Sequence, residues 1–207
     1  FDAVTKTERV PIRVNIPGGF MVYNTLDVLG AALALGVSLK DSAAVLAKVP
    51  HVQGRVEVVP TPGKDYTILI DYAHTPDSMV NVLQTVKEFA KGRTVAVFGC
   101  GGDRDKTKRP RMGKAAADWS DFAVVTTDNP RTEEPAAIIR DILPGFDGSN
   151  TPYEVVEDRV EAIHWAMDHA QKDDVIVLCG KGHETYQEVN HQKFHMDERE
   201  IVAEHLN

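Results

Sequence analysis

Three short runs carry the side chains best suited to chemistry. Asp128-Asn129-Pro130-Arg131 follows the apolar run 122–126, Gly99-Cys100-Gly101-Gly102-Asp103-Arg104-Asp105 follows 94–98, and Gly180-Lys181-Gly182-His183-Glu184 follows 175–179. An apolar run that breaks into a polar turn with glycine or proline reads as a strand opening into a loop. In an open α/β sheet, ligands bind outside the carboxyl ends of the strands. If these three strands are parallel, Arg104, Asn129, Arg131 and Glu184 converge on one crevice. Guanidinium groups grip a carboxylate and a carboxylate grips an ammonium, so such a crevice suits a zwitterion. Pro130 fixes the turn after Asn129, and Arg131 follows without intervening flexibility. Solvated, ligand-free turns are the competing reading, and a single exposed arginine would be read that way.

A fourth run, Asp71-Tyr72-Ala73-His74-Thr75-Pro76, places an acid, an aromatic and an imidazole just before a helix start. Asp71 could accept from both hydroxyls of a ribose, with His74 stacking or donating beside it. Equally, Asp71 could be a cap and His74 a turn residue.

The elements that must position these groups alternate regularly. Strands are expected at 66–71, 94–98, 121–126, 153–156 and 175–179. Helices are expected at 76–91, 111–119, 135–143 and 159–171, with apolar residues on one stripe of the first and the last. A hairpin about Asn190-His191 and a helix over 197–206 close the chain. This alternation predicts a doubly wound, mostly parallel α/β sheet with an antiparallel piece at its end. Ahead of it, weak alternation (Val10, Ile12, Val14, Ile16) reads as a strand over 1–17, and an alanine-rich apolar stretch as a buried helix over 24–35. A short helix over 41–49, capped by Ser38 or Asp41, follows. Pro50 and Pro60-Thr61-Pro62-Gly63 put a domain boundary between about 50 and 64.

With 207 residues and a net charge of -8, the chain lacks the basic footprint of a nucleic-acid binder. Between Arg104 and Lys114, six cations (Arg104, Lys106, Lys108, Arg109, Arg111, Lys114) face one acid, Asp105, which suggests an anionic ligand or a solvated helix start. No apolar run approaches the length of a membrane span, and no signal peptide is evident. Cys100 and Cys179 sit where strands meet glycine and read as small buried side chains in a reducing, cytoplasmic compartment. The start at Phe1 reads as a cut within a longer protein.

Several motifs fail. G-x-G-x-x-G would need glycine where Arg104 stands, so nicotinamide chemistry is a distant third reading. G-x-x-x-x-G-K-[ST] does not occur, so chemistry on ATP needs a phosphate cradle from elsewhere. The histidine pairs 191/195 and 164/169 lack convincing zinc spacing.

In order, the runs 71–78 (Asp-Tyr-Ala-His-Thr-Pro-Asp-Ser), 99–104 with Lys108-Arg109-Pro110-Arg111-Met112, 128–131, 180–184 and Met196-Asp197-Glu198-Arg199-Glu200 resemble the Mur ligases. Within that family they are most similar to the branch adding meso-diaminopimelate during peptidoglycan synthesis. The resemblance covers essentially the whole chain. It implies a three-domain protein in which residues 1–50 are the tail of a central ATPase domain and 51–207 a C-terminal Rossmann-like domain. The P-loop, a carbamylated lysine and most Mg2+ ligands would lie upstream, so this piece alone would be inactive. Asn24 is implied to contact adenine, with Arg55 and Asp71 reaching phosphates and ribose and His74 nearby. Arg104, Asp128, Asn129, Pro130, Arg131, Gly180 and Glu184 match the amino-acid site. One departure stands out: Phe20-Met21-Val22-Tyr23-Asn24 has Met21 where the family usually has asparagine.

The implied reaction uses ATP to form an acyl phosphate on the D-glutamate side chain of a UDP-muramoyl dipeptide. An amino group of diaminopimelate then displaces phosphate. Lysine lacks the distal carboxylate that a guanidinium fork matches, so Arg131 favours diaminopimelate; without that carboxylate it is expected to face nothing. A Mur-like ligase for lysine or another amino acid, and a stand-alone non-catalytic binding module, are the rivals. Contacts with small molecules only and a monomer are expected.

Overall fold

The computed structural model describes residues 1–15, 17–49 and 51–207. Ile16 and Pro50, used above for alternation and punctuation, lie outside the described residues. The chain divides into two compact units, Phe1–Val52 and Gln53–Asn207.

In the first unit, β1 (Asp2–Val4) and β2 (Arg9–Pro11) pair antiparallel, so the expected single strand is a hairpin. The hydroxyl of Thr5 accepts from the amides of Thr7 and Glu8 and closes the turn. α1 (Gly19–Ala34) begins five residues before the expected start, and α2 (Leu39–Leu46) is capped by Ser38, whose hydroxyl accepts from the Asp41 amide. α1 is not the buried helix its composition suggested. Thr25 and Leu29 are buried, whereas Leu26, Val28 and Leu33 are exposed. Composition reports how apolar a helix is, and only packing reports which faces are covered.

The second unit is built on a six-stranded sheet of order β3-β4-β8-β5-β6-β7. Its strands are β3 (Glu57–Val59), β4 (Thr67–Asp71), β5 (Thr94–Phe98), β6 (Phe122–Val125), β7 (Tyr153–Val155) and β8 (Val175–Cys179). β4, β8, β5, β6 and β7 run parallel, which confirms the mostly parallel α/β sheet. The antiparallel member is β3, too short and punctuated to be expected from sequence. The expected antiparallel piece at the chain's end, β9 (Tyr186–Val189) with β10 (Gln192–His195), forms a separate two-stranded sheet.

α3 (Pro76–Lys87), α4 (Lys108–Trp119) and α5 (Pro135–Ile142) pack in succession, α3 lying against β5 and β8. α6 (Arg159–Asp168) and α7 (Glu198–His205) pack together elsewhere, α6 lying against β5, β6 and β8. Strand alternation divides the core between these two helix sets. Ile68, Ile70, Val95, Val97, Val124, Ile176 and Leu178 meet Ile163, Met167, Ile201 and Val202 on the α6/α7 side. Two caps fix the entry angles of the helices. Thr75 and Ser78 form a reciprocal capping box at α3, and the Asp158 carboxylate accepts two amides at α6.

The chain leaves β4, β5 and β6 towards α3, α4 and α5. From β8, lying between β4 and β5, it leaves towards β9, β10 and α7. Neighbouring strands whose exits diverge leave a crevice at their carboxyl ends, so the sheet opens around β8.

Candidate functional site

A cleft of about 310 Å³ lies at that opening. Four adjacent strand ends line it: Tyr72, His74 and Thr75 after β4, Gly180 and Glu184 after β8, Gly101, Arg104 and Lys108 after β5, and Asp128, Asn129 and Arg131 after β6. The structure therefore brings together Arg104, Asp128, Asn129, Arg131, Gly180 and Glu184, with His74 at the rim. Pro130 is buried behind this wall. Its carbonyl sits 1.9 Å from where a side chain on Gly102 would begin. Gly102 thus permits a close approach between two loops.

The wall after β6 is held from behind. The Arg131 amide donates to the Glu188 carbonyl (3.0 Å), the Asn190 amide donates to the Arg131 carbonyl (2.8 Å), and Gln187 Nε2 donates to the Asp128 carbonyl (2.9 Å). The β9–β10 hairpin is the shelf on which the Asp-Asn-Pro-Arg turn rests. Arg131 takes a left-handed backbone conformation (φ 54°), which is strained for a residue with a side chain. The shelf supplies the hydrogen bonds that hold it there.

Arg131 is not unpartnered, contrary to expectation. Its Nε donates to Glu188 Oε2 (3.2 Å) and its Nη1 to the Gly102 carbonyl (2.9 Å). Among the described residues, Nη2 has no partner, which leaves its N–H groups for a ligand. Glu188 also supplies its own amide to Asn129 Oδ1 (2.9 Å).

Beneath the cleft, Lys181 is fully buried and does not reach it. Its Nζ donates to Asn129 Oδ1 (2.6 Å) and to the Tyr186 carbonyl (2.7 Å), and lies 3.6 Å from Asp128 and 3.8 Å from Glu184. Burial pulls its pKa below the ordinary lysine range, opposed by Asp128 and Glu184. Asn129 Nδ2 then donates to Glu184 Oε2 (3.0 Å). Deeper still, Arg159 and Glu198 form a buried pair at 2.8 Å, and Arg159 donates to the Cys179 carbonyl (2.9 Å) at the end of β8. Lys181, Glu188, Arg159 and Glu198 carry no sequence signature of such roles; a lysine between two glycines was the nearest hint.

The basic island resolves into separate duties. Arg109 is fully buried and paired with Glu133 (2.8 Å) and Asp141 (2.8 Å). Lys106 also meets Glu133, and Lys114 meets Asp118 one helical turn on. Arg104 and Lys108 alone among the six line the cleft, and Lys108 Nζ donates to the His74 carbonyl (3.0 Å). Glu133, held by Arg109 and the Asp103 amide, has its pKa lowered to about 2.

The residues expected around a nucleotide are placed less uniformly. Asp71 is buried, its Oδ2 accepting from the Val56 amide (2.8 Å), and burial raises its pKa. A carboxylate so enclosed caps a turn and presents little surface to a ribose. Arg55 is exposed and lies over the Tyr72 ring at 5.0 Å; His74 tilts against the same ring, its Nδ1 2.7 Å from the Tyr72 carbonyl. In the first unit, Asn24 lines an apolar pocket of about 160 Å³ with Val14, Met21, Val28, Leu46 and Val49. Its Nδ2 lies 3.7 Å from Met21 Sδ. Among the described residues, no group of three or more His, Cys, Asp or Glu side chains could hold a metal ion. Cys100 and Cys179 are buried free thiols; burial raises the pKa of Cys100 to about 12 and pushes Cys179 up as well. No helix among the described residues is long and apolar enough to cross a membrane.

Residues 54–182 match the family model described as Mur ligase, glutamate ligase domain. The chain belongs to the Mur ligase family. Relatives named UDP-N-acetylmuramoyl-L-alanyl-D-glutamate–2,6-diaminopimelate ligase include those of Clostridium botulinum, 49% identical over 205 residues, and Bacillus cereus, 48% identical over 204. Each match covers 99% of this chain, but 42% and 41% of the respective relative. A solved structure bearing the same enzyme name superposes with a TM-score of 0.71 at 36% identity, over 99% of this chain and 42% of its own. The chain thus spans about two fifths of the Mur ligases it matches.

Proposed function

We propose that this chain is the C-terminal portion of an ATP-dependent Mur ligase that adds meso-diaminopimelate to UDP-N-acetylmuramoyl-L-alanyl-D-glutamate, and that the cleft at β8 is its amino-acid site. Residues 1–50 would be the tail of the central ATP-binding domain and 51–207 the C-terminal domain. The observation that carries this reading is the convergence of Arg104, Arg131, Asn129 and Glu184 on one cleft from three adjacent parallel strands. The names and identities of the Mur ligase relatives support it.

In this reading Arg131 Nη2 and Arg104 receive carboxylate, and Glu184 accepts from the ammonium. The work of these residues is orientation. A neutral amine held in line with an acyl phosphate reacts as if at high effective concentration, and fixed charges stabilise the developing transition state. ATP, when bound, supplies the phosphoryl group that activates the D-glutamate carboxylate. Asn24 would meet the base, with Arg55 towards the phosphates and His74 beside the ribose; the phosphate cradle and most Mg2+ ligands would come from the rest of the protein, and this portion alone would be inactive. A monomer acting in the cytoplasm on small molecules is part of the same proposal.

The test is Arg131→Ala in the full-length ligase, assayed with diaminopimelate and lysine at saturating ATP. The diaminopimelate KM should rise by roughly two orders of magnitude while the ATP KM holds, since a charge-assisted pair at a buried edge is lost. An unchanged diaminopimelate KM refutes the site.

A further inference from the structure

We propose that Lys181 is a positioning residue of the amino-acid site, setting the orientation of the Asn129 amide and, through it, of the Glu184 carboxylate. This rests on the reading of the cleft given above. The two ends of an asparagine amide have nearly the same shape, so its orientation is set by what surrounds it. An ammonium and a backbone amide can only donate. Lys181 Nζ at 2.6 Å and the Glu188 amide at 2.9 Å both aim at one atom of Asn129, which must therefore be the oxygen. Nδ2 is consequently turned to Glu184, 3.0 Å away. Being fully buried, Lys181 acts on a ligand only through these intermediaries. Burying an ammonium is costly, whereas an apolar chain of the same length would fill the space without that penalty. The network around Nζ accounts for its presence.

Two physical effects of Lys181→Met have opposite signs, which makes the proposal testable. If Lys181 mattered only as a charge, removing it would leave Asp128 and Glu184 less neutralised, and an ammonium-bearing substrate would bind more tightly. If Lys181 orients Asn129, its loss leaves the Glu188 amide as the one remaining donor to Oδ1, the amide is held less firmly, its hydrogen bond to Glu184 weakens, and the substrate binds more weakly.

The experiment uses the full-length ligase. Lys181→Met should raise the diaminopimelate KM roughly tenfold or more, with ATP KM and kcat within about twofold. Lys181→Gln, which keeps an N–H for Asn129 Oδ1, should recover part of that loss. Combined with Asn129→Ala, either variant should add less than about threefold, because both act through one amide. An unchanged or lower diaminopimelate KM in Lys181→Met overturns the proposal, as does a penalty that multiplies in full on Asn129→Ala. Should Lys181→Met fail to fold by thermal melting, Lys181→Gln in the same cycle decides by the same criteria. Arg131→Ala separates the two levels. If it raises the diaminopimelate KM and the Lys181 variants do not, this inference alone fails. If neither has an effect, the assignment of the cleft fails and takes the inference with it.

Discussion

The floor and the rim of the cleft are built differently. On the floor, Asn129, Lys181, Glu184, Arg131 and Glu188 interlock, and each polar group fixes the direction of the next. At the rim, Arg104 and His74 are exposed, and Arg104 Nη1 donates to its neighbour's carbonyl, Asp103 (3.1 Å). A charge fixed in a low-dielectric setting discriminates by geometry, because a misplaced ligand leaves it unpaired. A charge on a flexible stem in water attracts broadly and is screened by salt. The floor should therefore decide which amino acid binds, and the rim how readily it arrives.

The largest effect is expected from Glu184→Gln in the full-length ligase. Loss of the carboxylate proposed to accept from the ammonium should lower kcat/KM for diaminopimelate by roughly 100-fold, about 2.7 kcal/mol. A loss below fivefold would show that the floor is not where the ammonium sits. Glu188→Gln comes next: it removes the partner behind Arg131 while leaving the fork itself, and should cost roughly tenfold in diaminopimelate KM with little change for ATP. If Glu188→Gln matches Arg131→Ala, Glu188 and Arg131 act as one unit and the floor is more cooperative than drawn.

Arg104→Ala should cost only a few-fold at physiological salt and progressively less as ionic strength rises. An effect that is large and independent of salt would move Arg104 from rim to floor. The smallest effect concerns the anchoring of the rim. Glu133 holds Arg109, Lys106 and the Asp103 amide, and its pKa falls from 4.5 to about 2 on folding. A depressed carboxylate contributes stability above its unfolded pKa and loses it as pH falls through the folded one. Wild type should therefore exceed Glu133→Gln in urea midpoint at pH 7, with the gap closing between about pH 4.5 and pH 2. A gap independent of pH would assign the difference to packing.

Much of the fold was legible because strands and helices announce themselves locally. The runs 94–98 and 175–179 are the observed strands to the residue, since both are fully buried and flanked by turn residues. α3 and α5 begin at Pro76 and Pro135 because proline suits the first helical turn. β3 was missed, because three residues between prolines and glycines carry no period. The hairpin of β1 and β2 read as part of one strand over 1–17 for the same reason.

The candidate site divides along the same line. That Arg104, Asn129, Arg131 and Glu184 stand at strand ends follows from sequence, because alternation implies parallel strands and parallel strands share one carboxyl edge. Which partner each side chain takes depends on residues far away in the chain, and no local pattern encodes it. Asp71, 15 residues after Val56, is enclosed by that residue's amide and withdrawn from ribose. Arg109 is drawn into the core by Glu133 and Asp141. Arg131 meets Glu188 across 57 residues, and Lys181 is buried beneath Asn129 across 52. The sequence by itself determined the chemical kinds and the edge of the sheet that presents them. Only the tertiary structure decided which charges are spent on one another and which remain for a ligand, because burial and pairing depend on all the elements that close over a residue.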